Sequence, residues 1–319
     1  MLVHFTYGGR KTYWIGCARN LPLQEIHSPQ CSGRGLISST KNIGKGNRVL
    51  AHELSRSPIR WAGSKRKLLL QLQELAPTAF DRYVEPFCGS LCLFVALKPK
   101  NALVGDINSE LIHFYRIISW RPRVVAELAH ALPIDSATYY RLRSIAPNTL
   151  SAEQRAARFL YLNRFCFNGV YRTNRAGYFN VSRGRHTGSI PNIEELLAFG
   201  RLIRNAEFHC SDFENIVANA GEGDFVYLDP PYAGRDVRDR GEYGPGAFKM
   251  SDMQRLFSAV QMASNRGAKI LISYADLPIV RDLFCKWNLT RVEVARNVSG
   301  FTAGRTSVSE IILRNYKSK

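Results

Sequence analysis

Two short apolar strands in quick succession, each ending at a turn that can hold a ligand, constrain this chain more than any other feature. Residues 83–87 read as a strand, Cys88-Gly89-Ser90 as a turn, and residues 91–97 as the start of a helix that Pro99 stops. Residues 102–107 form a second strand, and 109–120 have helical periodicity. Strand, crossover helix and strand make a β-α-β unit, which begins a parallel sheet with helices on its faces. Strand character returns at 207–210, 225–228, 269–274, 290–295 and 310–314. The stretch from 121 to 206 is helical or loop-like. The expected architecture is therefore an α/β domain over 56–120 and 207–319, interrupted by a mostly helical insertion at 121–206. Residues 1–55 hold seven glycines and five serines and show no sustained period. They read as a loosely ordered N-terminal extension.

Charge narrows the partner. Forty-four Lys and Arg against 26 Asp and Glu give a net charge of +18, which favours a polyanion such as nucleic acid. The excess is concentrated: residues 154–193 contain no acid but seven arginines, interleaved with Tyr161, Phe165, Phe167, Tyr171, Tyr178 and Phe179. Arginine forks suit phosphates and guanine edges, and aromatic rings stack on bases. Tyr161 and Phe165, four residues apart, also suit the core of a helix. No apolar run approaches the ~20 residues that cross a bilayer. Seven cysteines without a C-x-x-C pair suggest reduced thiols, and no secretory leader is evident, so the expected compartment is the cytoplasm.

Three elements carry candidate chemistry. Asp229-Pro230-Pro231-Tyr232 follows the strand 225–228, and ligands of open α/β sheets bind beyond the carboxyl ends of strands. The prolines stiffen the turn, so a carboxylate with an adjacent carbonyl can accept both hydrogens of an exocyclic amine while a tyrosine stacks on the ring. A capped proline turn with a surface tyrosine is the plainer alternative. Glu85-Pro86-Phe87-Cys88-Gly89 closes the first strand, with a glycine where backbone amides could approach a ligand. Asp106, at the end of the next strand, stands where nucleotide-binding domains place an acid for ribose hydroxyls, and is equally a candidate helix cap. The dinucleotide and NTP phosphate-loop patterns are both absent at the Gly89 turn.

Taken in order, Trp61-Ala62-Gly63-Ser64-Lys65, Glu85-Pro86-Phe87, Asp106-Ile107-Asn108, the 163–185 stretch and Asp229-Pro230-Pro231-Tyr232 resemble the DNA adenine methylase (Dam) family, the α-type N6-adenine-specific DNA methyltransferases. The resemblance covers roughly residues 57–316. It departs from the family at Ser64 and Ser90, where glycine is frequent, and at Ser182, where proline is usual.

The resemblance implies a Rossmann-like, S-adenosylmethionine-dependent methyltransferase sheet with an inserted helical DNA-recognition domain. It implies transfer of a methyl group to N6 of an adenine flipped out of double-stranded DNA, with GATC as the expected site. Trp61, Gly63 and Lys65 would border the cofactor, with Lys65 near its carboxylate or the DNA. Glu85, Phe87 and Gly89 would line its methionine side, Asp106 its ribose, and Asp212 and Phe213 its adenine. Asp229, beside the cofactor, and the Pro230 carbonyl would bind the target amine; Pro231 completes the turn and Tyr232 would stack on the base. Asn168, Val170 and Arg172 would face base edges, while Arg164, Asn174, Arg175 and Arg185 would hold the backbone or neighbouring bases. The chain would act as a monomer without metal or membrane, alone or beside a separate restriction nuclease. Cytosine-C5 methylation needs a cysteine nucleophile, which the proline motif lacks. Cytosine-N4 methylation, usually with Ser in place of Asp229, and a DNA-binding regulator without activity are the alternatives.

Overall fold

The computed structural model describes residues 3–7, 10–14, 56–185, 187–232, 248–295 and 307–317. The sheet strands form where β-branched and aromatic residues run together. They are β3 (Arg82–Glu85), β4 (Ala102–Asp106), β5 (Ala206–Cys210), β6 (Asp224–Leu228), β7 (Lys269–Ala275), β8 (Asn288–Ala295) and β9 (Ser307–Arg314). Among the described residues these seven make one sheet in the order β5-β4-β3-β6-β7-β9-β8. The pairs from β5 to β7 are parallel, and β9 is antiparallel to both β7 and β8. The chain runs outward from β3 through β4 to β5 and then returns to the other side of β3 at β6. The carboxyl ends of β3 and β6 therefore flank a topological switch point, where their following loops part and leave a crevice.

Alternation along the strands builds two apolar layers. Tyr83, Phe225, Tyr227 and Leu271 face one way, into a core shared with α3 (Ser109–Trp120), α4 (Pro122–His130), α5 (Ser136–Ser144), α6 (Ala152–Phe165) and α7 (Ile193–Leu202). Val84, Val226, Leu228, Ile270 and Ile272 face the other way, against α8 (Phe213–Val217), α9 (Met250–Asn265) and α10 (Pro278–Leu283). Helices α1 (Leu69–Leu75) and α2 (Cys92–Leu97) complete the first layer. The inserted helices pack on α3 and share one continuous apolar core with this face of the sheet. Ser151 and Asn192 start α6 and α7 with reciprocal capping boxes, through Gln154 and Glu195.

The sequence expectation for residues 1–55 is modified at its start. Strands β1 (Val3–Tyr7) and β2 (Arg10–Trp14) pair as an antiparallel hairpin outside the main sheet. Their local content of valine, phenylalanine, threonine, tyrosine and tryptophan carries strand propensity that the glycine and serine count of the whole segment obscures. The remainder of the expected loose extension lies outside the described residues. No helix among the described residues is long and apolar enough to cross a membrane.

Candidate active site

The loop after β3 is shaped by two left-handed residues, Gly89 at φ +42° and Leu91 at φ +57°. A leucine there carries strain of roughly 1 kcal/mol, a feature that tends to collect at functional sites. The bend lets the Gly89 amide donate to Asp106 Oδ2 at 3.2 Å, and the Gly89 carbonyl accepts from the buried Tyr115 hydroxyl at 2.6 Å. Trp61 closes over the loop: a Cβ at position 89 would lie 2.9 Å from its Cδ1. Only glycine meets both conditions.

Across the crevice, Asp229 is held from two sides. Lys65 Nζ, at the start of the 3-10 turn Lys65–Leu68, lies 2.5 Å from Asp229 Oδ1. Ser273, wholly buried on β7, donates its hydroxyl to the same oxygen at 3.1 Å. Tyr227 Oη stands 3.0 Å from Ser273 Oγ and, with the serine proton directed at Asp229, donates to it. Burial pushes the Asp229 carboxyl up, and Lys65 opposes this through charge and hydrogen bonding. For Lys65 burial acts downward, but Asp229, Tyr232 and the buried Glu310 of β9 together hold its ammonium above the ordinary value. The ammonium also lies 5.2 Å from the centroid of the Tyr232 ring, a cation–π geometry. Tyr232 packs edge-to-face on Tyr274 at 5.1 Å, and the Tyr274 hydroxyl donates to the Pro231 carbonyl at 3.4 Å.

Glu85, Asp106 and Asp229 end three neighbouring strands. Glu85 is buried and accepts from the Tyr83 hydroxyl at 3.0 Å; burial drives its carboxyl well above the usual range, and the charges of Asp229 and Asp106 add to this. Burial also raises Asp106 to about 6, against hydrogen bonds from the Asn108 and Gly89 amides and the Cys88 thiol. Among the described residues no Lys, Arg or His pairs with Glu85 or Asp106, so this end of the crevice is suited to a cation. Ile107 is 74% exposed beside Asp106, an aliphatic platform that sequence reading passed over. Phe87 stacks on the buried Phe213 at 5.4 Å, and Asp212 caps α8 while pairing with Arg255 at 3.0 Å. Gly63 is exposed at φ +81°, and its carbonyl lies 3.4 Å from Lys65 Nζ. Among the described residues no group of three or more His, Cys, Asp or Glu is placed to hold a metal.

The arginine-rich stretch is divided between scaffold and surface. Arg158 is 2% exposed and donates to the Leu142 carbonyl at 2.7 Å, while Arg155 pairs with Glu110. Arg164 donates to the Ser189 carbonyl at 2.8 Å and the Pro58 carbonyl at 3.3 Å, so it ties the insertion to the segment before Trp61. Asn163, missed in the sequence, completes this tie: Arg60 N donates to its Oδ1 at 2.8 Å, and its Nδ2 donates to the Arg60 carbonyl at 2.6 Å. Beyond α6 the chain makes a hairpin-like excursion closed by the bridge Cys166↔Arg183. Asn168 sits exposed at φ +53°, a conformation asparagine tolerates. Val170 and Tyr171 pack on the core, with Tyr171 stacked on Trp61 at 6.0 Å, and Arg172 Nε donates to Asn180 Oδ1 at 2.9 Å. Asn174 accepts from the Ala176 and Tyr178 amides within its turn, whereas Arg175 and Arg185 are exposed.

This arrangement has relatives. A type II methyltransferase of Lactococcus lactis subsp. cremoris is 33% identical over 267 residues, which cover 81% of this chain and 94% of that protein. A DNA adenine methylase of Serratia marcescens is 34% identical over 264 residues, covering 81% and 97%. A DNA N-6-adenine-methyltransferase of Escherichia phage P1 is 35% identical, covering 73% of this chain and 32% of that one. The solved N-methyltransferase NodS of Bradyrhizobium japonicum overlays 79% of this chain and 97% of its own at a TM-score of 0.34 and 12% identity, too low to bear on function. The family model for D12 class N6 adenine-specific DNA methyltransferases matches residues 61–298, from Trp61 through the Gly89 turn, the inserted helices and Asp229. With a mostly parallel seven-stranded sheet among the described residues, an acid at each of three neighbouring strand ends and this match over most of its length, the chain belongs to the D12 class of N6 adenine-specific DNA methyltransferases.

Proposed function

We propose that this enzyme takes its methyl group from S-adenosylmethionine and places it on N6 of an adenine rotated out of double-stranded DNA, with GATC as the expected site. The observation that carries the reading is Asp229-Pro230-Pro231-Tyr232 at the end of β6, one strand from the Gly89 turn on β3. The residues present fit the cofactor. Glu85 and Asp106 would accept from its ammonium and ribose hydroxyls, Ile107 would offer an apolar face to its adenine, and Gly89 and Trp61 would border its methionine side. When bound, the cofactor supplies an electrophilic methyl on a sulfonium.

Adenine N6 is a weak nucleophile because its lone pair is delocalised into the ring. Asp229 and the Pro230 carbonyl would accept its two hydrogens, favouring a tetrahedral nitrogen whose lone pair points at the methyl. Tyr232 would stack on the extruded base, offsetting part of the few kcal/mol needed to unstack it. Orientation and fixed charge then do most of the catalysis. An aspartate rather than a serine at 229 favours adenine over cytosine-N4. Incubating methyl-free plasmid with enzyme and S-adenosylmethionine, followed by modification-aware sequencing, tests the reading. N6-methyladenine at one recurrent site is expected, and unmodified adenines or methylated cytosines would reject it.

Two further outcomes are expected. If Asp106 must be ionised to accept ribose hydroxyls, a carboxyl near 6 is competent above that pH and protonated below it. Affinity for S-adenosylhomocysteine should therefore fall about tenfold between about pH 8 and pH 5, and the fall should disappear in Asp106→Asn. Calorimetry across that range reads both.

The exposed Arg175 and Arg185 suit phosphates, so replacing either should weaken binding to all duplexes and flatten its salt dependence. Arg172→Ala should instead relax sequence preference, at roughly 1–3 kcal/mol of discrimination. Equal losses on cognate and random duplexes would reject the base-reading role of Arg172.

A further inference from the structure

The hydrogen-bonding of Asp229 is one-sided. Oδ1 receives both the Lys65 ammonium, at 2.5 Å, and the Ser273 hydroxyl, at 3.1 Å. Two donors on one oxygen fix the plane of a carboxylate and direct its second oxygen away from them. Ser273 is itself held, because Tyr227 donates to it from the neighbouring strand across the β6–β7 register. Its place is unusual: a fully buried hydroxyl in the strand Lys269–Ala275, among Ile270, Leu271, Ile272 and Tyr274. A polar group in that setting needs partners, and its two are Tyr227 and Asp229.

Charge makes Lys65 the more consequential partner. Among the described residues, none of the other titratable groups that act most strongly with Asp229 is cationic. They are Glu85 on β3, Cys92 at the start of α2, Tyr227 on β6, Tyr232 after β6, and Glu310 on β9. A buried carboxylate in such company is costly unless paired, and removing one member of a buried pair leaves the other uncompensated. A protonated Asp229 would present a hydroxyl and lose the negative charge that opposes positive charge building on N6.

We propose that Lys65 and Ser273 are positioning residues for methyl transfer: by sharing Asp229 Oδ1 they hold the carboxylate anionic and in plane, and they leave Oδ2 to accept the target amine. This rests on the reading that Asp229 receives that amine. Lys65 is thereby assigned to the reacting side of the crevice, not to the cofactor carboxylate or the DNA backbone. The two residues act differently. Lys65 dominates the protonation state, and Ser273 chiefly sets the orientation, its hydrogen bond adding a smaller downward pull on the carboxyl.

Single-turnover methyl transfer at saturating DNA and S-adenosylmethionine, followed across pH, separates these roles. Lys65→Met should lose roughly tenfold or more near neutral pH, with its acidic limb moved upward by about one pH unit or more. The rate should recover towards the parent in alkaline buffer. Lys65→Arg keeps the charge and should leave the limb in place. Ser273→Ala should lose rate by roughly tenfold at every pH, with the limb moved upward by less than in Lys65→Met. A loss in Lys65→Met that is flat across pH, or a parental rate in either Lys65→Met or Ser273→Ala, overturns the proposal. Thermal melting and cofactor titration of each variant establish that it is folded. If Lys65→Met does not fold, Ser273→Ala and Lys65→Arg still decide, because a parental rate in the first or a shifted limb in the second is incompatible with these roles. Failure of the parent to methylate adenine removes the functional reading and this proposal together, whereas an active parent with an unshifted Lys65→Met limb removes this proposal alone.

Discussion

Asp229→Asn should lower single-turnover methyl transfer by about a hundredfold or more, with DNA binding retained. The change keeps the size and plane of the side chain but removes the charge that would offset positive charge developing on N6, so the loss belongs to the chemical step. It also leaves the Lys65 ammonium buried without its counter-ion, since the pair is 2.5 Å apart with side chains 8% and 19% exposed. A folded variant should therefore melt below the parent, by an amount that shrinks as pH rises and Lys65 can give up its proton. Rapid-quench transfer, with duplex affinity measured alongside, reads the two effects. A near-parental rate would make the tetrapeptide a structural turn.

Gly200→Ala should destabilise the enzyme by about 2 kcal/mol, although helix propensity alone predicts a gain of roughly 0.5–1 kcal/mol. Gly200 lies inside α7, and a Cβ there would sit 2.5 Å from the Ile118 carbonyl oxygen at the end of α3 and 2.8 Å from Pro122 Cβ at the start of α4. The nearest obstacle is backbone, so relief requires moving a helix within a core that also covers the sheet. The opposite signs of the two effects make the test sharp. A melting temperature several degrees lower is expected, and a rise would mean that the helices separate without loss.

Much of the sheet was legible because its strands are short runs of β-branched and aromatic residues bounded by turns. The boundaries expected for β3 to β7 differ from those observed by one or two residues. Asp106 and Asp229 could be placed at strand ends for the same reason. The partners of Asp229 were not legible. Lys65 stands far from it in sequence, Ser273 reads as one more position of a buried strand, and Glu310 only precedes the apolar run Ile311–Leu313 of β9. Their convergence depends on β6 pairing with β7 and β7 with β9, an order that local periodicity does not encode. Charge counting misled in a similar way. Arg155, Arg158 and Arg164 swell the basic stretch, yet they bind Glu110 and backbone carbonyls inside the fold. Their pattern could not be told from that of Arg175 and Arg185, because a long cationic side chain reaches carbonyls and phosphates by the same geometry.

The inserted helices and the catalytic sheet have one apolar interior, and Arg60, Asn163 and Arg164 bind the insertion to the segment that leads into Trp61. The helical region is therefore not a cassette that relatives could trade whole, since a transplanted version would have to match the α3 face around Ile118 and the Arg60 segment at once. The excursion beyond α6 is another matter. Phe167 N donates to the Ser182 carbonyl and Gly184 N to the Phe165 carbonyl, so its two ends are pinned side by side before the chain turns outward. Only the exposed tip, residues 174–178, can then diverge with little disturbance to the helices beneath, because Val170, Tyr171, Phe179 and Val181 on either side of it are packed into the core.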